Sequence, residues 1–242
     1  MSRLYKKDGN VKTIGMVGGL AWPSTAEYYR IINEETARRM GGSHCAKLIM
    51  AQTDFDGILA AQAAGDWDFV ASAAASQANM LKAAGADFFI IACNTVHAAM
   101  PRIEALTDLP YIHIVDPTAR IALENGCSTV GLMGSGYTMN GTYFTGRLEG
   151  KYGLRVLLPQ QSDREYIHAA LYGELVKGEF LPRTRDRFIA AAEDMAARGA
   201  QAVILGCTEF GLLLKPEDSP LPLIDTALAH ARAAVDMALS DI

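Results

Sequence analysis

The chain has 242 residues, of which half are hydrophobic and a fifth are charged, an ordinary globular composition with length for one large or two small domains. Its formal net charge of −5 argues against a general nucleic-acid surface, which is usually basic. No apolar run approaches the ~20 residues that span a bilayer, and the polar start over residues 1–10 lacks a signal-peptide core. We therefore expect a cytoplasmic protein with no nucleic-acid or membrane partner, whose first ten residues form a short arm.

Strands and helices are predicted to alternate along the whole chain. Apolar runs predict strands, and apolar positions at helical spacing predict helices, with Gly85 and Gly126 where helix C-caps are expected. The predicted strands cover 12–17, 47–51, 88–92, 111–115, 129–133, 154–158 and 202–206, and the helices 25–40, 67–84, 94–103, 116–125, about 139–149 and about 162–198. Such alternation is typical of βαβ units with parallel strands.

The second half of the chain repeats signals of the first half in the same order. Residues 85–95, GADFFIIACNT, align with 199–209, GAQAVILGCTE, so that Cys93 falls on Cys207. The glycine-rich turn Gly18-Gly19 likewise aligns with Gly134-Ser135, within 12–32 against 128–148, and a weaker echo pairs 109–118 with 221–226. A repeat of nearly half the chain indicates two homologous domains rather than a solenoid.

The predicted fold is therefore α/β, with two homologous, doubly wound, parallel-sheet domains of Rossmann or flavodoxin-like type. We place the N-terminal domain, carrying Cys93, at 1-114 plus 223-242, because the third echo suggests that the C-terminal helix packs back onto it. The second domain, carrying Cys207, covers 115-222. In such sheets ligands bind at the carboxyl ends of the strands.

Cys93 and Cys207 each directly follow a strand and precede a helix, where backbone N–H groups and the positive helix end favour a thiolate. One cysteine after a strand is usually a small core residue, but two at equivalent points of a duplication suggest matched acid/base groups. Cys45 and Cys127 lack this context, so we interpret them as structural. The spacing disfavours a zinc site, because His97 is the one ligand-like neighbour.

Polar residues beside the two cysteines have two interpretations. Asn94, Thr95 and Thr208 either cap the following helices or donate hydrogen bonds to a substrate carboxylate. Glu209 caps its helix or holds a neighbouring donor, and His97, one helical turn from Cys93, tunes the thiol or only packs. The turns at Gly18-Gly19 and at Gly134-Ser135-Gly136 would supply backbone donors for an anionic group.

The segments CNTVH (93–97), GCTE (206–209), IGMVGGLAWPST (14–25), GSGYTM (134–139) and LPLIDTA (221–227) resemble the aspartate/glutamate racemase family, closest to its cofactor-independent aspartate racemase branch. The resemblance implies two domains facing each other across the active-site cleft, a homodimer, and racemisation of a dicarboxylic amino acid without pyridoxal phosphate, metal or other cofactor. One cysteine thiolate removes the α-proton and the opposite thiol reprotonates the other face, roles that fall on Cys93 and Cys207.

The resemblance also assigns substrate-binding residues. Asn94, Thr95, Thr138 and Thr208 would bind the substrate carboxylates, while the loop after Gly18-Gly19, with Trp22 and Ser24, would wall the cleft. Gln52 stands in the segment Gln52-Thr53-Asp54, where aspartate-selective relatives place a basic residue, and Arg120 or Lys177 is the possible substitute. Aspartate is the expected substrate and glutamate the next.

Three alternatives remain open on the sequence. A hydantoin racemase of the same fold family would use the same two cysteines. A non-catalytic sensor would bind an amino acid in an inactive cleft. A redox protein would join Cys93 and Cys207 in a disulfide, which needs Cα atoms within about 7 Å.

Overall fold

The computed structural model describes residues 11–240, so the predicted arm over residues 1–10 lies outside the described residues. The chain divides into two compact units. The first contains the residues up to Ala92, Ala99–His113 and the residues from His230 onward; the second contains Cys93–Ala98 and Ile114–Ala229. The predicted boundaries differ from these units, because 93–98, residue 114 and 223–229 group with the second unit.

The first unit is built on a parallel sheet of three strands in the order β2-β1-β3, formed by β1 (Ile14–Gly18), β2 (Leu48–Gln52) and β3 (Phe88–Ile91). Its helices are α1 (Trp22–Met40), α2 (Phe55–Ala64), α3 (Trp67–Ala83) and α4 (Met100–Glu104). The sequence analysis missed α2. The buried strand β3 is apolar at every position, as expected for a strand covered on both faces.

The predicted strand over 111–115 is wrong, because the structure has only an isolated bridge between Tyr111 and Phe89. Two backbone hydrogen bonds hold that bridge, from Phe89 N–H to the Pro110 carbonyl and from Ile112 N–H to the Phe89 carbonyl. The next helix, α5 (Val115–Glu124), already begins at Val115. Pro117 lies in the first turn of α5, where a missing backbone N–H group is tolerated.

The second unit is built on a parallel sheet in the order β5-β4-β6-β7, with β4 (Thr129–Gly134), β5 (Arg155–Leu157), β6 (Val203–Gly206) and β7 (Leu223–Asp225). The predicted helix over 139–149 is two helices, α6 (Gly136–Asn140) and α7 (Thr142–Tyr152), separated at Gly141. The remaining helices are α8 (Gln161–Gly173), α9 (Pro182–Ala197), α10 (Phe210–Leu213) and α11 (Thr226–Ala238), the last of which passes from the second unit into the first at His230.

The second sheet is covered by apolar side chains on both faces. Leu132 and Ile204 pack with Phe144 of α7 in one core cluster. Met133 and Leu205, the next residues on the same strands, pack with Phe188 of α9 and Phe210 of α10 in the other cluster. Successive strand residues point to opposite faces, so this alternation confirms the predicted doubly wound α/β class. No helix among the described residues is long and apolar enough to cross a membrane.

Candidate active site

Cys93 and Cys207 lie in the same unit, each in the turn that follows a parallel strand. Cys93 comes two residues after the end of β3, and Cys207 directly follows β6. Each cysteine is partly accessible to solvent and is a free thiol. The charge of Cys93 contributes to the raised pKa of Cys207, so the two sulfur atoms are close enough to interact electrostatically.

The surroundings of Cys93 stabilise its ionised form only in part. Burial raises the pKa of the Cys93 thiol to about 11, while hydrogen bonds from the backbone N–H groups of Val96 and Thr95 act in the opposite direction. The backbone donors favour the thiolate, as expected from the sequence, but burial has the larger effect and the net pKa of Cys93 is raised. The helix after Cys93 is also a short 3-10 turn, Thr95–Ala99, followed by α4.

Cys207 has a carboxylate as its neighbour. Its Sγ donates a hydrogen bond of 2.9 Å to Oε2 of the buried Glu209. The pKa of Cys207 lies well above its ordinary value because of burial first, and then because of the charge and the hydrogen bond of Glu209. One backbone N–H group, that of Glu209, lowers this pKa. Glu209 occupies the N-cap position of α10 without capping that helix through its side chain.

A chain of hydroxyl groups runs beside the cysteine turns. Thr95 Oγ1 lies 3.2 Å from Ser135 Oγ, which lies 3.2 Å from Thr138 Oγ1, which in turn lies 2.9 Å from the Tyr143 hydroxyl. Ser135 also caps α6 by accepting a hydrogen bond from the Thr138 N–H group. The structure thus brings together Thr95 and Thr138, two of the predicted carboxylate-binding residues, through Ser135.

Asn94 is oriented by a hydrogen-bond chain of its own. Its Nδ2 donates to Thr226 Oγ1 at 3.0 Å, and Thr226 Oγ1 donates to the Leu205 carbonyl at 2.8 Å. The buried Oδ1 of Asn94 has no hydrogen-bond partner among the described residues. The side chains of Asn94 and Thr95 therefore bond across the unit and do not cap the turn after Cys93. Thr208 lies half-buried beside Cys207.

His97 supports the backbone of the Cys93 turn. Its side chain is buried, and Nδ1–H donates a 2.8 Å hydrogen bond to the Cys93 carbonyl. Burial lowers the pKa of His97 to about 4, so the imidazole is neutral near pH 7. A neutral, buried ring that holds the backbone of Cys93 favours the packing interpretation over a charged neighbour that would tune the thiol.

Two tyrosines beside the cysteines were missed in the sequence analysis. The pKa of Tyr143 and that of Tyr172 are both raised, by burial first and then by the charges of Cys93 and Cys207 among others. The ring of Tyr172 contacts the His168 ring edge to face, and His168 Nδ1 accepts a hydrogen bond from the Gly136 N–H group. Tyr172 lies outside the repeated segments, and Tyr143 lies within 128–148 but falls on Glu27 of the first half, so no matched pair of residues singled out either tyrosine.

The other predicted site residues belong to the first unit. Gly18 ends β1, and Gly19 follows with φ +78°, so close to Thr53 that a Cβ atom would lie 2.2 Å from the Thr53 carbonyl oxygen. Gln52 is the exposed last residue of β2. Ser24 is buried in α1, whereas Trp22, the first residue of that helix, has 71% of its surface exposed.

The basic residues predicted as partners for the substrate, and the groups acting on the two thiols, are distinct. Arg120 and Lys177, the possible partners for a side-chain carboxylate, are both exposed. Among the described groups that most strongly shift the pKa of Cys93 or Cys207, none is an arginine or a lysine. Within residues 11–240, no group of three or more His, Cys, Asp or Glu side chains is arranged to hold a metal ion. Cys45 is exposed and Cys127 is buried.

Comparison with known proteins identifies relatives over most of the chain. A model of the family described as Asp/Glu/hydantoin racemase matches residues 17–234. A solved structure from Yersinia pestis classed as an Asp/Glu racemase is 39% identical, with a TM-score of 0.89 over 94% of this chain and 99% of its own. An aspartate racemase homologue from Pyrococcus horikoshii is 27% identical, with a TM-score of 0.80 over the same shares.

Curated relatives match over shorter stretches. A glutamate racemase from Granulibacter bethesdensis is 29% identical over 64% of this chain, and the match spans 56% of that relative. A broad specificity amino-acid racemase from Bacillus subtilis is 24% identical over 72% of this chain and 75% of its own length. The chain thus spans little more than half the length of the glutamate racemase.

Proposed function

We propose that this chain, which belongs to the Asp/Glu/hydantoin racemase family, is an amino-acid racemase that works without pyridoxal phosphate through two cysteines. The observation that carries this proposal is the presence of two free thiols, Cys93 and Cys207, at the ends of equivalent strands and within electrostatic reach of each other. Inverting a carbon requires a base on one face and an acid on the other. Two groups of the same kind can exchange these roles when the reaction runs in reverse.

In the proposed step, one thiolate takes the proton from Cα, and the electron pair of the broken C–H bond passes into the carboxylate system. The opposite thiol then gives its proton to the other face of Cα and becomes the thiolate. The hydroxyls of Thr95, Ser135 and Thr138 are fixed donors for the substrate carboxylate on which the negative charge develops. Asn94, with its amide held by Thr226, belongs to the same proposed binding set.

Aspartate is the substrate that we propose first, and glutamate second. The proposal follows the relatives of known structure, because the Pyrococcus horikoshii protein named as an aspartate racemase homologue aligns over nearly the whole of both chains. The roles of Trp22, Ser24 and Gln52 in holding this substrate stay predictions. So do the homodimer and the cytoplasmic location.

The test is incubation with each enantiomer of aspartate, glutamate and other amino acids in deuterated water, followed by chiral chromatography and mass spectrometry. Racemisation is expected to add one deuterium at Cα. Cys93→Ala and Cys207→Ala should each abolish turnover, whereas Cys45→Ala, which changes an exposed thiol, is the matched control and should keep it. The proposal fails if the reduced wild-type protein inverts no amino acid.

Hydantoin racemisation is the second candidate, because the description of the matching family model includes hydantoin racemase. A hydantoin lacks the free carboxylates of aspartate and needs no cationic partner. The same deuterium assay with 5-substituted hydantoins separates the two activities. Binding of an amino acid without any exchange would instead indicate a sensor.

A further inference from the structure

The two thiols of the candidate site are unequal in their immediate surroundings. The sulfur of Cys93 accepts hydrogen bonds from the backbone N–H groups of Thr95 and Val96, and both bonds favour the thiolate. Cys207 receives one such group and also points its own S–H at the Glu209 carboxylate, 2.9 Å away. A sulfur that donates a hydrogen bond to an anion must keep its proton, and a thiolate there would meet a like charge.

We propose that Glu209 holds Cys207 in the protonated thiol form and so makes Cys207 the resting proton donor and Cys93 the resting base of the pair. The proposal rests on the racemase function proposed above, because it assigns roles within that reaction. Glu209 acts through Cys207, so it is a positioning residue rather than a group that touches the reacting carbon.

The other groups that face Cys207 do not remove this asymmetry. Cys93 adds negative charge when ionised, in the same sense as Glu209, while the charges of both thiols raise the pKa values of the neighbouring Tyr143 and Tyr172. Burial opposes ionisation of both cysteines. Glu209 also acts on Cys93, as the last and smallest of the causes that shift its pKa, whereas at Cys207 it ranks directly after burial. The Glu209 carboxylate therefore has a larger influence on the pKa of Cys207 than on the pKa of Cys93.

The assignment fixes the proton balance of one turnover. Cys93 thiolate takes the Cα proton and becomes a thiol, and Cys207 thiol gives its proton to the opposite face and becomes a thiolate. The negative charge then lies beside Glu209, so Cys207 must regain a proton from solvent and Cys93 must lose one before the same direction can run again. The equilibrium constant of racemisation is one, so kcat/KM is equal in both directions and does not reveal this difference. The pH at which each thiol ionises does reveal the difference between the two cysteines.

The experiment measures the alkylation rate of each cysteine by iodoacetamide as a function of pH, with the modified peptides quantified by mass spectrometry. In the wild-type protein, the midpoint of Cys207 should lie above that of Cys93. Glu209→Gln should lower the Cys207 midpoint by about 1 pH unit or more, and that of Cys93 by less. Glu209→Asp, which keeps the charge, should hold the Cys207 midpoint near its wild-type position, and exposed Cys45 should be unchanged in every variant.

Two results would overturn the proposal. The first is a wild-type midpoint for Cys207 below that of Cys93, a result that needs no variant to fold. The second is a Glu209→Gln protein with a wild-type circular dichroism spectrum and an unshifted Cys207 midpoint. Neither measurement needs a substrate, so a failure here is distinct from a failure of the racemase proposal, which the deuterium assay decides.

Discussion

The two cysteine turns are built on the same framework but differ in the residues that come after the sulfur. Gly15 of β1 pairs with Phe89 as Gly131 of β4 pairs with Val203. The N–H groups of Phe89 and Val203 both donate to a proline carbonyl, that of Pro110 at 2.8 Å and that of Pro222 at 2.9 Å. The duplication is therefore preserved down to single backbone hydrogen bonds.

The residues after each cysteine break this equivalence. Asn94 and Thr95 bond to Thr226 and Ser135, so the Cys93 turn is tied into the unit by neutral groups. The Cys207 turn instead places Glu209 against the thiol. The duplicated strands thus place the two sulfur atoms in equivalent turns. Glu209, two residues after Cys207, makes the proton affinities of the two thiols unequal.

The largest effect is expected when one cysteine is removed and abstraction of the Cα proton is measured separately for each enantiomer of the substrate. Loss of chloride from a 3-chloro amino acid needs only the base: Cα–H breaks, its electron pair forms the Cα=Cβ bond, and chloride leaves. Cys93→Ala should slow chloride release from one enantiomer by about 10²–10⁴-fold and spare the other, and Cys207→Ala should do the reverse. Chloride release is followed for each enantiomer, with Cys45→Ala as control. Equal loss for both enantiomers in either variant would contradict the division of roles.

A smaller effect, on the free energy of unfolding, is expected from substituting the residue before each cysteine. This residue is Ala92 in the first half and Gly206 in the second. A Cβ atom at Gly206 would lie 2.8 Å from the Met133 carbonyl oxygen, which is backbone and cannot move cheaply. Gly206→Ala should therefore lower the free energy of unfolding by about 1–3 kcal/mol. The matched change Ala92→Gly creates no clash and should cost about 0.5–1 kcal/mol. Urea unfolding measures both, and a Gly206→Ala protein as stable as the wild type would contradict the expected clash.

The weakest effect concerns one ion-paired acid in each unit, the buried Glu35 in the first and the half-buried Asp116 in the second. Hydrogen bonds from Arg38 and Arg39 lower the pKa of Glu35 to about 2, against the effect of burial. A lowered folded-state pKa stabilises the protein above the unfolded value near 4.3, and this stability is lost as pH falls toward 2. Glu35→Gln should thus cost about 1–2 kcal/mol at pH 7 and progressively less below pH 4.

Urea unfolding at pH 7, 5, 4 and 3 checks this pH dependence. The matched variant is Asp116→Asn, because Asp116 pairs with Arg147 and Lys151. Burial is the largest single influence on the pKa of Asp116 and raises it, but the hydrogen bonds and charges of its partners lower the pKa overall. A cost for Glu35→Gln that stays constant from pH 7 to pH 3 would show that the ion pair does not contribute through its charge.

Much of the fold could be predicted from local pattern. The strands that became β1, β2 and β3 were each predicted to within a residue or two, because a short apolar run between glycine or polar turns has few other uses. The strand predicted over 111–115 failed because a short apolar run does not distinguish a strand from a buried helix start: only the Tyr111–Phe89 bridge forms, and Val115 already lies in α5. The helix α2 was missed because its apolar and small residues show little periodicity.

The candidate site was predictable only where the chain repeats itself. Cys93 and Cys207 were identified by the echo, and the resemblance to the aspartate/glutamate racemase family is confirmed by the match to the Asp/Glu/hydantoin racemase family model. Tyr143, Tyr172 and Thr226 lie far from at least one of the two cysteines in the sequence, and no spacing rule connects them to a thiol. The backbone donors that favour a thiolate were predicted, but the net rise of both thiol pKa values was not, since burial is a property of the folded unit.

Two α/β halves, each with a cysteine at a strand end, could be inferred from the amino-acid sequence alone, because strand patterns and a duplication are local properties of the chain. The difference between the two thiols arises at the level of tertiary structure. Whether Glu209 turns toward its helix or toward Cys207, and how strongly burial opposes each charge, depend on the groups packed around a side chain, and those groups come from distant parts of the chain.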